Sequence, residues 1–261
     1  MKKLFCFSLL AVCLPFAAQA LEITHPFYLS PEKTLTSTTT FAWEKFHVKD
    51  MINGYQNYRT RDIIAAQAFS YGVAPKVAID AVISNAWNRL KYDGTNVTDG
   101  EDTNIDWQLG ATYDLYKTET TYVQTRLAYL QKETHHAGGA YKAFNLHARA
   151  GYDLKFVLPY IGASAELPLF QHKFADNNPK YDIMAGLYKS LNQLIAVDAT
   201  FHYNYDKLWK SKKLYATADL YTFVTDWLAV GGGYSYTFQD NGKNNAHGDG
   251  HTLRVQIKTV F

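Results

Sequence analysis

The sequence is poor in cysteine: of its 261 residues only Cys6 and Cys13 are cysteines, and both lie within the first 20 positions. If that segment is removed on export, the remaining chain contains none. Disulfides, a catalytic thiol and cysteine-ligated metal sites are then excluded, although an exported protein reaches an oxidising compartment that permits them.

The first 20 residues are predicted to be a signal peptide. Lys2 and Lys3 give a basic start, an apolar stretch follows over 4–18, and a small-x-small cleavage site lies at 18–20. A lipoprotein cleavage site before Cys13 is the weaker alternative, because the residue that precedes this cysteine is large. The sequence therefore predicts export from the cytoplasm.

The rest of the chain lacks both a long apolar run and a net charge. No 18 consecutive apolar residues follow residue 20, so no membrane-spanning helix is predicted. Lys2 and Lys3 account for the formal charge of +2, and without them 24 basic residues face 24 acidic ones. A neutral chain is a poor partner for nucleic acid. Glycine-rich phosphate loops and Walker patterns are also missing, so no cofactor is predicted.

Apolar and polar residues alternate along most of the chain with a period of two, which is typical of β-strands. The chain also has 20 tyrosines, which suit both strands and membrane interfaces. The segments are long enough for tilted strands that cross a bilayer, which need ~9–11 residues each. Twelve strands are predicted over 35–48, 61–71, 76–90, 104–116, 120–132, 142–154, 156–169, 180–190, 193–205, 213–223, 227–238 and 251–261.

The links between these segments alternate between short and long. An up-and-down arrangement then places the short turns at one end and the long loops, among them 239–250, at the other. Hydrocarbon does not tolerate an open sheet edge, so the last strand should pair with the first near 41–46. The predicted fold is all-β, a single twelve-stranded antiparallel up-and-down transmembrane β-barrel over 35–261. Short turns would face the periplasm and longer loops the outside.

Two further points of organisation follow from the pattern. Residues 21–34 have no sustained period and are predicted to form a periplasmic lead-in or short plug. Alternation alone also fits a soluble exported barrel, which is the alternative fold.

The last strand carries a specific motif. Leu253, Val255 and Ile257 alternate with polar residues, and the chain ends on Phe261. This ending resembles the C-terminal signal of Gram-negative outer-membrane β-barrels, although Thr259 departs from the aromatic residue often found third from the end. The resemblance implies an outer-membrane location, recognition by the barrel-assembly machinery, and contact with outer-membrane lipid and lipopolysaccharide. The lead-in at 25–28 and the threonine-rich first strand are also similar to porin- and transporter-like barrels associated with uptake of aromatic compounds.

If the polar rows point inward, they line the lumen with charges of both signs. These side chains would form either the wall of a narrow water-filled channel or a set of paired charges that plugs it. The candidate pore-lining residues are Glu44, Asp80, Asp106, Asp114, Arg126, His147, Arg149, Asp198, His202, Asp219, Arg254 and Lys258.

The sequence favours a monomeric passive channel or transporter for small polar or amphipathic solutes. A non-conducting structural or surface-binding barrel is the alternative. A lipid-modifying enzyme is a third, but Ser164 and Ser235 have no evident histidine partner, so no catalytic residue is predicted. The pair 135–136 with His247 or His251 is a conceivable metal site. Their spacing fixes no coordination geometry, so solvated loop histidines are the preferred interpretation and no metal site is predicted.

Overall fold

The computed structural model describes residues 23–50, 58–92, 100–134, 140–169, 178–207, 211–241 and 246–261. The predicted signal peptide at 1–20 and the histidines at 135–136 lie outside these ranges. Within them, no helix is long and apolar enough to span a membrane.

Twelve antiparallel strands form a closed barrel in chain order, each hydrogen-bonded to the strands before and after it. The predicted all-β, twelve-stranded barrel is thereby confirmed. The strands are β1 Leu35–Asp50, β2 Tyr58–Ala74, β3 Val77–Tyr92, β4 Gly100–Lys117, β5 Thr121–Thr134, β6 Ala140–Tyr152, β7 Leu158–Pro168, β8 Lys180–Ser190, β9 Ile195–Asp206, β10 Ser211–Thr225, β11 Leu228–Asn241 and β12 Ala246–Val260.

The barrel closes between its first and last strands, as expected. Phe41 lies opposite Val255, and the register continues along the whole of both strands. Leu35 and Phe261 exchange two backbone hydrogen bonds, the N–H of Phe261 donating over 2.8 Å and that of Leu35 over 3.2 Å. Closure leaves no unpaired edge, which is the condition for a sheet to cross hydrocarbon.

The outward face of the wall is apolar. Leu253 and Val255 are each 52% exposed, Ile183 is 60% and Leu220 is 52%. Water-soluble monomers rarely expose contiguous apolar surface of this kind, whereas a bilayer requires it. The fold therefore favours the membrane barrel over the soluble barrel.

Gln67 interrupts the apolar row of β2 and also faces outward. Two hydrogen bonds to β1 satisfy its polar amide there. Its amide nitrogen donates a hydrogen bond to the Ser37 hydroxyl over 2.6 Å. Its carbonyl oxygen accepts one from the Thr39 hydroxyl over 2.7 Å. Both partners belong to β1, so the amide is satisfied within the wall.

The last long link is shorter than the sequence predicts. Gly248 and Gly250 fall in the loop predicted over 239–250, but both lie within β12, opposite Val48 and Phe46. A Cβ at either glycine would run into the Phe46 ring. These glycines therefore make room for an inward aromatic side chain and do not turn the chain.

The short turns gather at one end of the barrel, where β1 begins and β12 ends. They join β2 to β3, β4 to β5, β6 to β7, β8 to β9 and β10 to β11. In the turn after β6, Lys155 adopts a left-handed conformation with φ of 70°. The Asp153 carboxylate stabilises that turn by accepting a 2.6 Å hydrogen bond from the Lys155 N–H.

Candidate functional site

The structure places all twelve candidate pore-lining residues on the inward face of the wall, opposite the exposed apolar rows. Several of them contact each other across an intervening strand, as the concave inner face of a barrel favours. They fall into a few groups along the barrel. Glu44, Asp106 and His147 lie on the same face but outside the ion pairs described here.

The first group joins β3 to β5 over β4. The Arg126 Nε lies 3.1 Å from each oxygen of the Asp80 carboxylate, and its Nη2 donates to the same group. The strand between them carries Gly110, and a Cβ there would lie 3.0 Å from both Arg126 Nη2 and Asp80 Oδ1. Glycine at this position lets the ion pair pass over the strand.

The second group repeats this arrangement on the other side of the barrel, joining β10 to β12 over β11. The Arg254 Nε donates to Asp219 Oδ1 over 2.7 Å, and its Nη1 donates to the Ser235 hydroxyl over 3.2 Å. A Cβ at Gly233, on the intervening strand, would overlap the Asp219 carboxylate. The glycines of β11 therefore do not leave an open wall, since the pair covers Gly233 and the Tyr221 ring covers Gly231.

The third group has an amide where the first two have a carboxylate. The Arg149 Nε donates to Gln124 Oε1 over 3.0 Å, and Gln124 Nε2 donates to Asp114 Oδ1 over 2.7 Å. Gln124 is fully buried. Sequence reasoning missed it, although it lies on the polar row of β5 between residues that were chosen for their charge.

Two tyrosines line the inner wall at the level of the third group. The Tyr160 hydroxyl donates to Asp198 over 2.7 Å. Lys258 lies with its ammonium 4.5 Å from the centre of the Tyr221 ring, whose hydroxyl donates to Gln256 over 2.9 Å. Both tyrosines occupy inward positions, and the period-two pattern could have identified them if aromatic residues had not been assigned to the outer face.

Nearer the loop end, acidic and basic side chains pair in the same way. His202 Nδ1 lies 2.9 Å from Asp182 Oδ2, and its ring stacks on Tyr215 with centroids 4.2 Å apart. Glu166 lies within 3.6 Å of the Lys132 ammonium and 3.9 Å of the Lys180 ammonium. Among the described residues, no three His, Cys, Asp or Glu side chains converge as metal ligands would.

The segment before β1 crosses the lumen at the short-turn end, and we call residues 23–33 the N-terminal plug. At one side, the Thr24 hydroxyl lies 3.1 Å from the hydroxyl of Tyr188 on β8. At the other, the Ser30 hydroxyl donates to the hydroxyl of Ser70 on β2 over 2.9 Å. Strands β2 and β8 stand six apart in a ring of twelve, so the plug joins opposite walls.

Aromatic side chains hold the middle of the plug. Phe27 is 2% exposed and stacks on Tyr122 with ring centroids 5.3 Å apart. Its other neighbours are the edge of Tyr160 and the Arg149 guanidinium, which lies 5.2 Å from the Phe27 ring centre. Gly151 leaves the room for this ring, since a Cβ there would lie 2.6 Å from it.

His25 lies beside Phe27 between two tyrosine rings. Its centroid is 5.1 Å from that of Tyr122 and 5.2 Å from that of Tyr188. Burial, together with the positive charges of Lys117 and Arg149, lowers the pKa of His25 to about 4, while the negative charge of Asp153 opposes this shift. The imidazole is therefore neutral at neutral pH, consistent with its Nδ1 accepting a hydrogen bond from the Phe27 N–H.

A cavity of about 270 Å³ opens on the inner wall beside the plug. It lies against β1 to β5, and its polar lining comes from Thr36, Thr38, Ser70, Asp80, Gln108 and Arg126. A larger depression of about 780 Å³ lies elsewhere, across β5 to β10, where outward residues such as Ile161 and Phe201 form much of its surface. We assign that depression to the outer, lipid-facing wall.

No protein-family model matches the chain, and no curated protein matches its sequence. Its fold is shared with solved outer-membrane barrels. An outer membrane channel from Pseudomonas putida F1 superposes with a TM-score of 0.68 at 8% identity, covering 90% of this chain and 98% of that one. The translocator domain of the autotransporter NalP from Neisseria meningitidis gives 0.62 at 12% identity, covering 86% and 88%. The CymD monoaromatic hydrocarbon channel gives 0.51 at 10% identity, covering 89% of each chain.

These likenesses define the class by its fold. The chain has the fold of outer-membrane β-barrels, and the resemblance read from its terminal strand is confirmed at that level. The neighbours named above are two channels and a translocator domain.

Proposed function

We propose that this protein is an outer-membrane channel for small polar solutes. In this proposal, the N-terminal plug closes the channel at the periplasmic end. The observation that carries the proposal is a continuous charged and hydrogen-bonding inner face within an apolar outer wall. In outer-membrane barrels the short turns face the periplasm, which supports a periplasmic position for the plug.

The position of the ion pairs favours a channel over a lumen filled with salt bridges. Asp80–Arg126 and Asp219–Arg254 each join strands only two apart, so both pairs lie along the wall. Twelve strands ~4.8 Å apart and tilted ~40° close at a backbone radius of roughly 12 Å. Pairs that lie along a wall of that radius neutralise each other without crossing the lumen.

In this proposal the docked plug represents the closed state of the channel. Phe27 is buried among Tyr122, Tyr160 and Leu158, and the plug is tied to opposite walls. Opening would require the plug to leave this position. The contacts described above are ring packing, the Arg149 guanidinium against the Phe27 ring, and hydroxyl hydrogen bonds. Each of these is individually weak enough to exchange with water.

Planar-bilayer recording of the purified protein tests the proposal. The wild type should open rarely, and Phe27→Ala should open more often because the ring that fills the space between Tyr122 and Tyr160 is lost. Phe201→Ala removes an equally large ring that is 51% exposed on the outer wall, and it should behave as the wild type. If neither wild type nor Phe27→Ala conducts above bare lipid, the channel is refuted.

The same recording addresses the second candidate, a non-conducting barrel. The burial of Phe27 at 2% exposure is the observation that favours it, because a plug docked this firmly would serve a structural barrel equally well. A barrel of that kind would stay silent in both variants. It would be expected instead to act through its loop end, on lipid or on a surface partner.

A further inference from the structure

We propose that the cavity beside the plug is a binding site for a small, uncharged, polyhydroxylated solute, and that such a solute competes with the plug for its anchor on β1 and β2. The proposal rests on the channel function for its physiological meaning. The site itself follows from the chemistry of the cavity wall.

The polar lining offers donors and acceptors without net charge. The hydroxyls of Thr36, Thr38 and Ser70 each donate and accept, and the Gln108 amide does the same. Arg126 and Asp80 neutralise each other, and Arg126 also lies 3.4–3.5 Å from Gln108 Oε1. A solute charge of either sign would have to disrupt that pair, whereas hydroxyl groups can bond to its outer atoms.

The remaining lining suits the carbon skeleton of such a solute. Ala68 and Val82 give the cavity a small apolar patch, against which C–H groups can pack. The volume of about 270 Å³ lies just below the ~300–1,000 Å³ of pockets that hold drug-sized ligands. A monosaccharide or a short polyol fits a space of this size, and a disaccharide does not.

The plug already makes, with its own hydroxyl, the hydrogen bonds that a solute would seek. Ser30 Oγ lies 2.6 Å from Thr36 Oγ1 and 2.9 Å from Ser70 Oγ, and both partners line the cavity. A solute hydroxyl that takes over these hydrogen bonds to Thr36 and Ser70 displaces Ser30. A ligand that binds only after this displacement shifts the population towards a loosened plug.

Binding is measured on the full-length protein in detergent by titration calorimetry with glucose. We expect saturable binding that weakens about tenfold in Thr38→Val and in Gln108→Ala, the size of one lost hydrogen bond. Thr200→Val makes the same change as the first variant, on the opposite inner wall, and should leave binding unchanged. Glucuronate, which adds a charge, and maltose, which doubles the size, should bind much more weakly than glucose.

Ser30→Ala should change the affinity for glucose in the opposite direction to Thr38→Val. Removing the competing hydroxyl should strengthen glucose binding severalfold, whereas a residue that merely supports the site would weaken it. No saturable glucose binding, equal binding of glucuronate, or an unchanged affinity in Thr38→Val would each overturn the site. Weaker binding in Ser30→Ala would overturn the competition.

The calorimetric result is independent of conduction. A barrel that binds glucose but never conducts would refute the channel and leave the site standing. A barrel that conducts without binding glucose would refute the site and leave the channel standing.

Discussion

Gly72 on β2 faces the backbone carbonyl of Pro31 so closely that a Cβ at position 72 would overlap the carbonyl oxygen. The same stretch is tied by backbone hydrogen bonds, in which the Lys33 N–H donates to the Gly72 carbonyl over 2.8 Å and the Gly72 N–H donates to the Thr34 carbonyl over 3.1 Å. The atoms that the added Cβ would meet are backbone atoms of Pro31 and Ser30, so no side-chain rotation relieves the overlap. The contact fixes the end of the N-terminal plug.

Gly72→Ala should therefore displace the plug while the barrel still forms. In bilayers we expect the open fraction to rise severalfold over the wild type. Gly232→Ala is the matched control, because a Cβ there would meet only the Arg254 carbonyl oxygen at 4.0 Å. Equal open fractions in wild type and Gly72→Ala would contradict the role given to this contact.

Acidification should release the plug through His25. The docked imidazole has a pKa lowered to about 4, below the 6.5 of a free histidine, so between these values the undocked segment binds a proton that the docked one does not. Docking is therefore fully favourable above pH 6.5 and weakens progressively as the pH falls towards 4. Open probability measured against pH should rise over this window. His25→Gln, which cannot titrate, should lose that rise; a rise that persists would assign it to another group.

Breaking one ion pair should change ion selectivity with a predictable sign. Arg126→Gln leaves the Asp80 carboxylate unpaired in the lumen and should shift the reversal potential in a salt gradient towards cation preference. Asp80→Asn should shift it towards anions, and the double variant should return close to the wild type. Each single change should also cost about 1–3 kcal/mol of stability, since a partly buried charge loses its partner. Single variants with the same selectivity as wild type would place the pair outside the conduction path.

The last residue should matter for assembly. Deleting Phe261 removes the two backbone hydrogen bonds with Leu35 that end the β1–β12 seam. We expect less folded, heat-modifiable barrel in the outer-membrane fraction, with export across the inner membrane intact. Phe156→Ala removes an aromatic side chain that is 65% exposed at the same end of the barrel and serves as the control. Normal insertion without Phe261 would argue against its role as an assembly signal.

The strands and their faces follow from the sequence because a period of two is a local property. Residues such as Ile105 and Leu109 on β4 alternate with Asp106 and Gln108, and the structure leaves both apolar residues exposed. The charged residues chosen from the same pattern lie on the face opposite these apolar rows. Local reasoning could not pair Asp80 with Arg126, because their contact depends on the register of three strands and on Gly110 between them.

The sequence predicts the plug only as one of two alternatives. Residues 21–34 have no period, which is compatible with a free lead-in as well as with a plug. The docking of Phe27 depends on the space at Gly151 and on rings contributed by β5 and β7, all distant in the chain. The glycines of β12 were misread for the same reason, since the Phe46 ring that requires them lies some 200 positions earlier.

The two anchors of the plug differ in chemistry, and this bears on how the pore would open. At β8 and β5 the attachment is mainly aromatic, through His25, Phe27 and their tyrosine neighbours, with one hydroxyl contact between Thr24 and Tyr188. At β1 and β2 it consists of hydroxyl and backbone hydrogen bonds. Protonation would loosen the first anchor and a hydroxylated solute the second. Release of either anchor alone leaves the plug attached to one wall. The part of the pore that stays blocked then depends on which anchor was released. Single-channel records should then contain two distinct partial current levels below the fully open one, each favoured by a different stimulus.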